Sequence, residues 1–130
     1  MAACPECVRQ RTKLAEEFRV LRGLFVALGD ETRQQLFLTL LESEQVGLRV
    51  GELVRRNHLS RPAVSRHLRI LRDADLVRVH RQGTRSYYYA NADTALWADL
   101  EALAGHVRQI CGGALAAGYP HWDEEETVWT

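Results

Sequence analysis

The stretch Leu59-Ser60-Arg61-Pro62-Ala63-Val64-Ser65-Arg66-His67-Leu68-Arg69-Ile70-Leu71-Arg72 sorts its side chains by helical period. Val64, Leu68, Leu71, Ile70, Ala63 and His67 fall in one arc of a helical wheel, while Arg61, Arg72, Ser65, Arg69, Pro62, Asp73 and Arg66 fill the other. Ser60 stands where an N-cap is needed, and Pro62 lies in the first turn, where it has no intrahelical N–H bond to lose. The chain must therefore bury an aliphatic face here and leave four arginines and a serine outside. Most amphipathic helices need no ligand for their polar face. One this rich in arginine, with a single acid, is the footprint of a helix that meets nucleic acid.

The net charge of the 130 residues is zero, which taken alone argues against a nucleic-acid partner. Its distribution reverses that. Residues 49–85 hold ten basic and three acidic side chains, a net of +7, whereas 1–48 carry −1 and 86–130 carry −6. The length suits one domain with a modest core, or one completed by oligomerisation. No apolar run approaches the roughly 20 residues of a membrane span and no signal-peptide pattern opens the sequence, so the expectation is a cytoplasmic protein with no membrane partner. Three cysteines, Cys4, Cys7 and Cys111, do not make a disulfide framework in such a protein and are read as reduced thiols.

Taken in order, residues 1–12 are expected as a flexible N-terminal arm, 13–112 as the folded domain and 113–130 as an acidic C-terminal tail. Leu14, Phe18, Leu21, Phe25 and Leu28 recur at spacings of four, three, four and three, which predicts one long first helix with a seam-like stripe. Gly29 ends it and Asp30 caps a second helix over about 31–41, with Leu36, Phe37 and Leu40 inward. A polar link through Gly47 leads to a short helix over about 50–56. Asn57-His58 turn the chain into the arginine helix, a helix-turn-helix pattern. Val77 and Val79 then alternate with Arg78 and His80. With Gln82-Gly83 as a two-residue turn and Tyr87-Tyr88-Tyr89 returning, this is a β-hairpin with Arg81 and Arg85 near its tip. A last helix over about 92–111 carries Leu96, Trp97, Leu100, Leu103, Ala104, Val107, Ile110 and Cys111 on one arc, and Gly112-Gly113 should weaken or end it. The fold class is mainly α with a β-hairpin wing (α+β), a winged helix-turn-helix.

That order, with the words Leu28-Gly29-Asp30-Glu31-Thr32-Arg33, Val50-Gly51-Glu52-Leu53, Leu59 through Leu68 as quoted, and Arg81-Gln82-Gly83-Thr84-Arg85-Ser86-Tyr87-Tyr88-Tyr89, resembles the ArsR family of winged-helix repressors over roughly residues 14–110. The resemblance implies a homodimer that binds double-stranded operator DNA and leaves it when a metal ion, a metalloid or an oxidant is sensed. The family's best-known thiol site flanks a valine near the start of the third helix; here Arg49 and Gly51 stand where those cysteines would be. The family's zinc pattern on the last helix, D-x-H-x10-H-x-x-E, reads Asp99, Glu101, Gly112 and Leu115 here, and so fails.

The candidate DNA contacts are Ser60, Arg61, Pro62, Ser65, Arg66 and Arg69 on the helix and Arg81 and Arg85 on the wing. The candidate dimer seam is Leu14, Phe18, Leu21, Phe25, Trp97, Leu100, Leu103 and Val107. Cys4-x-x-Cys7, joined by Cys111, is the candidate metal or redox site: thiolates suit Zn(II) or As(III), although Cys111 also reads as a small buried hydrophobe. His67 falls on the inner arc and reads first as a satisfied structural histidine. His106 and Asp99, seven apart on one polar face, read as solvated side chains or as a ligand pair across a dimer seam. No phosphate-cradling glycine loop, HExxH motif or nucleophile with a base is present, so no enzyme is expected. Two alternatives stay open: a winged helix that serves protein contacts alone, and a thiol oxidoreductase built on Cys4 and Cys7.

Overall fold

The computed structural model describes residues 5–116, with backbone alone for Thr94 and 111–116. Its elements are α1 (Pro5–Val20), α2 (Arg22–Leu28), α3 (Glu31–Glu42), α4 (Val50–Asn57), α5 (Arg61–Asp73), β1 (Val77–Gln82), β2 (Arg85–Ala90) and α6 (Thr94–Ala116). Contacts divide the chain into two compact units, Val20–Trp97 and Met1–Arg19 with Ala98–Thr130.

The core of the first unit is aliphatic. Leu36, Leu48, Leu53, Val64, Leu68, Leu71, Leu76 and Val77 are its most deeply buried side chains. Polar ties hold the helices in place around it. Asp30 caps α3 by accepting from the Arg33 N–H at 3.0 Å, and the same Arg33 reaches back with Nε to the Ala27 carbonyl at 2.7 Å, closing the end of α2. Thr39 of α3 hydrogen-bonds Asn57 of α4 at 3.0 Å. Asn91, buried at the foot of the hairpin, donates from Nδ2 to the Asp75 carbonyl, and its own carbonyl accepts from the Trp97 indole at 2.8 Å. Phe37 packs beside that indole, ring centroids 6.3 Å apart.

The hairpin is antiparallel, with Val79 opposite Tyr88 and Gln82 opposite Arg85. The expected turn is therefore displaced by one residue: Gly83-Thr84, not Gln82-Gly83, join the strands. Gly83 has φ +65° while Thr84 is not among the positive-φ residues, the φ pattern of a type II′ turn with glycine first. A further pairing lies outside the hairpin. Leu48 and Tyr88 exchange two backbone hydrogen bonds of 2.8 Å, which pin the residues before α4 to β2. Gly47 makes this approach possible, because its φ is +102° and a Cβ there would stand 3.1 Å from that of Tyr87.

Three expectations are corrected at the helices. Residues 5–12, expected as part of a loose arm, are helical and continuous with the rest of α1. The single long first helix is two, because Leu21 leaves helical geometry at φ −94°, ψ 5° between α1 and α2. The last helix begins two residues later than expected and runs through Gly112-Gly113 to Ala116. A glycine costs a helix about 1 kcal/mol against alanine, a weak preference that does not by itself end one.

In the second unit α1 buries no residue of its own. Leu14 is half-buried, Phe18 is 50% exposed and Val107 38% exposed. Leu21 and Leu103 differ from these, being already covered within the single chain at 3% and 5% exposure, and Phe25, Trp97 and Leu100 are intermediate. Glu17 and His106 meet at 2.7 Å, so the carboxylate beside His106 comes from α1, and Asp99 stays exposed.

Candidate nucleic-acid interface

The arginine helix begins as its sequence dictates. The Ser60 hydroxyl accepts from the Ala63 N–H at 3.2 Å, and Arg61-Pro62 form the first turn. Three residues separate α4 from α5, and His58 makes the bend by taking a left-handed conformation, φ 54°, ψ 40°. Val64, Leu68 and Leu71 are buried, whereas Ser60, Arg61, Pro62, Ser65, Arg66, Arg69 and Arg72 are exposed. Arg81 and Arg85 are exposed near the tip of the hairpin.

Between these two surfaces lies a cleft of about 500 Å³, lined by Arg49, Val50, Gly51, Glu52, Arg55, Arg61, Thr84, Ser86 and Tyr88. The Leu48–Tyr88 bridge sets its geometry, since it places Arg49 and the first turn of α4 against β2. Glu52 steadies that turn by accepting from the Arg49 N–H at 3.3 Å. Gly51 leaves room for the cations: a Cβ at that position would lie 3.5 Å from Arg61 Nη2 and 3.7 Å from Arg55 Nη1. The sequence reading placed Arg61 here but missed Arg49 and Arg55. The signal for them is the recurrence of Arg49, Glu52 and Arg55 every three residues, which puts them along one side of α4.

His67 is half-buried on the inner side of α5, and its Nδ1 is buried without a hydrogen-bond partner. Desolvation holds its pKa below the ordinary imidazole range, helped by Arg33 and Arg66 and opposed by Asp30. The shift favours the neutral ring, so His67 adds little to the positive charge of the α5 arginines. The expected satisfied histidine is corrected in one respect: its Nδ1 has no hydrogen-bond partner.

The thiol site of the family resemblance does not fit this chain. Its two cysteine positions, Arg49 and Gly51, border a cleft of guanidinium groups, which supplies no thiolate and repels cations. Among the described residues, no group of three His, Cys, Asp or Glu side chains is gathered as a metal site. Cys7 is half-buried on α1, while Cys4 and the side chain of Cys111 lie outside the described residues. No helix among the described residues is long and apolar enough to cross a membrane.

Comparison with known proteins agrees with this architecture. A family model described as "Bacterial regulatory protein, arsR family" matches residues 30–79, from the cap of α3 into β1. The arsenic resistance transcriptional regulator ArsR1 of Pseudomonas putida is 37% identical over 76 residues, which are 58% of this chain and 58% of that protein, so the chain spans little more than half the length of that relative. The HTH-type transcriptional regulator Rv2034 of Mycobacterium tuberculosis is 40% identical over 91 residues, 65% of this chain and 82% of that protein. An ArsR-like transcriptional regulator from Rhodococcus sp. RHA1 superposes with a TM-score of 0.58 at 29% identity, covering 77% of this chain and 90% of that one. The matched helix-turn-helix, the wing that follows it and a relative 40% identical over most of its own length have one conclusion: the chain belongs to the ArsR family of bacterial regulatory proteins.

Proposed function

We propose that this chain is a dimeric transcriptional repressor that holds operator DNA through α5 and the hairpin and releases it when thiols in its second unit bind a thiophilic ion or are oxidised. The observation that carries the DNA-binding part is the continuous exposed surface of Ser60, Arg61, Ser65, Arg66 and Arg69, the arginine cleft and the wing arginines, on the segment with net charge +7. Major-groove contact falls to Arg61, Ser65, Arg66 and Arg69, and phosphate contact to Ser60, the N-terminus of α5 (whose first turn Pro62 shapes) and the wing. The reading is one of binding, with no reaction assigned to it. It is tested by anisotropy titration of labelled duplexes taken from the region around the chain's own gene. Binding should weaken steeply with salt, because each neutralised phosphate releases counterion. Binding that lacks a salt-dependent component would leave the fold a protein-contact module.

Dimerisation is supported by α1, none of whose residues is fully buried within the chain and which carries Val8 and Phe18 at 44% and 50% exposure. Val107 on α6 adds a third exposed apolar side chain. With Leu14 and Leu100 these residues make the proposed seam. Leu21 and Leu103, covered within the single chain, and the half-buried Phe25 and Trp97 complete the candidate set. Sedimentation at micromolar concentration should give twice the mass of the chain. A folded species of single-chain mass would remove the seam.

The sensing part rests on Cys4, Cys7 and Cys111. A relative that bears the name of arsenic resistance and the absence of thiols from α4 both direct attention to these remaining soft donors. Zn(II) and As(III) are the candidate ions. A tenfold loss of operator affinity on binding would correspond to about 1.4 kcal/mol of coupling. The double variant Cys4→Ser, Cys7→Ser should bind operator like the wild type while losing its response to arsenite, Zn(II) and diamide. A full response in that variant would move the sensor to Cys111 or to the His106 face.

A further inference from the structure

The cleft between α4, α5 and the wing gathers three cations that have no carboxylate of their own. Among the described residues Arg9, Arg33 and Arg78 each meet a carboxylate, whereas Arg49, Arg55 and Arg61 belong to no ion pair. Glu52 is the lone acid in the lining, and one of its oxygens already accepts from the Arg49 N–H at 3.3 Å. Two of the three cations stand close together. A Cβ at Gly51 would lie 3.5 Å from Arg61 Nη2 and 3.7 Å from Arg55 Nη1, so those nitrogens are separated by no more than the sum of the two distances. One phosphate bridges such a gap, with a charge-assisted N–H···O bond of about 2.7–2.9 Å on either side of it.

The opposite wall suits the same ligand. Thr84, Ser86 and Tyr88 line it, three hydroxyls able to donate to phosphate oxygens. The backbone of Tyr88 is pinned by two 2.8 Å hydrogen bonds with Leu48, next to Arg49, so this wall and the start of α4 are held together. The volume, about 500 Å³, falls in the range of about 300–1,000 Å³ that holds small ligands. Charge selects as well. A terminal phosphate carries about −1.5 to −2 at pH 7, whereas a duplex strand brings one charge per about 3.4 Å of its axis. The end of a polyphosphate therefore concentrates more charge on three guanidiniums than a passing DNA backbone does.

We propose that the cleft is a binding site for a small molecule ending in a polyphosphate, its terminal phosphate bridging Arg55 and Arg61 while Arg49 and the wing hydroxyls take the remaining oxygens. Guanidinium forks match phosphate in shape as well as in charge, which separates this ligand from a simple counterion. The consequence for DNA rests on the DNA-binding reading above; the binding of polyphosphate does not. Because the same guanidiniums meet backbone phosphate in that reading, ligand and duplex exclude one another at the cleft. A rise in free polyphosphate then loosens the protein from DNA by a route that uses no thiol.

The test titrates the full chain, free of DNA and Mg²⁺, with inorganic tripolyphosphate and with a nucleoside triphosphate, ionic strength being held constant with sodium chloride. Calorimetry should give saturable binding of both, and the tighter of the two identifies the source. Arg55→Ser should weaken it about tenfold or more, as loss of a hydrogen bond between charged partners does. Gly51→Glu should do the same by placing a carboxylate among the cations, in a variant whose α4 loses a helix-weakening residue. Arg56→Ser removes the same charge one residue along, where Arg56 is exposed but outside the lining, and should stay within about twofold of wild type. Sulfate bound as tightly as tripolyphosphate, or an Arg56→Ser loss equal to that of Arg55→Ser, overturns the site, since either is general ion attraction. With labelled duplex present, the probe at ten times its dissociation constant should weaken DNA binding about tenfold beyond sodium chloride of equal ionic strength. Saturable binding that leaves the duplex in place overturns the competition. Tripolyphosphate bound by a protein that binds no duplex leaves the site standing and overturns the DNA-binding reading instead.

Discussion

Leu53→Ala is expected to lower the stability of the folded chain by about 2–5 kcal/mol, as truncation of a fully buried leucine does. A domain of this size has only about 5–15 kcal/mol in all, so the loss is a large share of it. Leu53 is chosen because α4 is eight residues long and Leu53 is its single buried side chain, with no exposed surface left. Asn57 adds a hydrogen bond to Thr39, but nothing else apolar on α4 is fully buried. The cavity thus forms where one residue attaches a whole helix to the core. Urea unfolding should show a midpoint lowered by about 1–2.5 M at an m-value of about 2 kcal/mol/M. DNA affinity should fall as well, because Arg49 and Arg55 depend on the position of α4. Leu38→Ala is the comparison: Leu38 is 44% exposed, and its truncation should stay within about 0.5 kcal/mol of wild type. Equal effects from the two variants would mean that Leu53 does not anchor the helix.

The legible parts of this fold are those where local chemistry and tertiary packing agree. In α5 the cap, the proline of the first turn and the aliphatic stripe all specify the same helix, and the arginines are exposed because the stripe decides which side goes inward. The hairpin was legible in kind but not in register. Gln82-Gly83 and Gly83-Thr84 both offer a two-residue turn, and the choice is made by pairing Val79 with Tyr88, a contact nine residues apart. The break at Leu21 was hidden because the stripe from Leu14 to Leu28 continues through it; hydrophobic period reports which side is apolar, not whether the backbone is continuous. Gly112-Gly113 misled in the opposite direction, since propensity is a weak prior. The cleft was the least legible feature. Arg49, Arg61 and Tyr88 are separated by 12 and 27 residues and are brought together by the Leu48–Tyr88 bridge, which leaves no periodic trace in the sequence. It is also the place where arginine and glycine stand at the thiol positions of the resemblance, so the same two residues that remove a metal site border the cleft.

Arg61→Ala and Arg66→Ala are expected to change which sequences are bound, whereas Arg85→Ala should change how tightly all of them are bound. The distinction follows from position. Arg61 and Arg66 lie in the first two turns of α5, on its exposed face, and the N-terminal part of a helix in the major groove is the part that meets base edges. An arginine bidentate to guanine discriminates by about 1–3 kcal/mol, so losing one should relax the preference at its base pair by about 5- to 150-fold. Arg85 sits beside the hairpin turn, exposed and opposite Gln82; in the proposed binding mode it meets phosphate rather than base edges. Its removal should weaken operator and random duplex alike and reduce the salt slope by about one. Arg61 also lines the cleft beside Gly51, so of the two helix arginines it should combine both effects, with a reduced slope as well as a relaxed preference. Arg66 is absent from the cleft lining and should relax the preference with a smaller change in slope. Titrations of each variant against the operator and a set of single-base-pair substitutions, at three salt concentrations, separate these outcomes. If both helix variants scale every sequence equally, α5 is a phosphate-binding helix and the bases are read elsewhere.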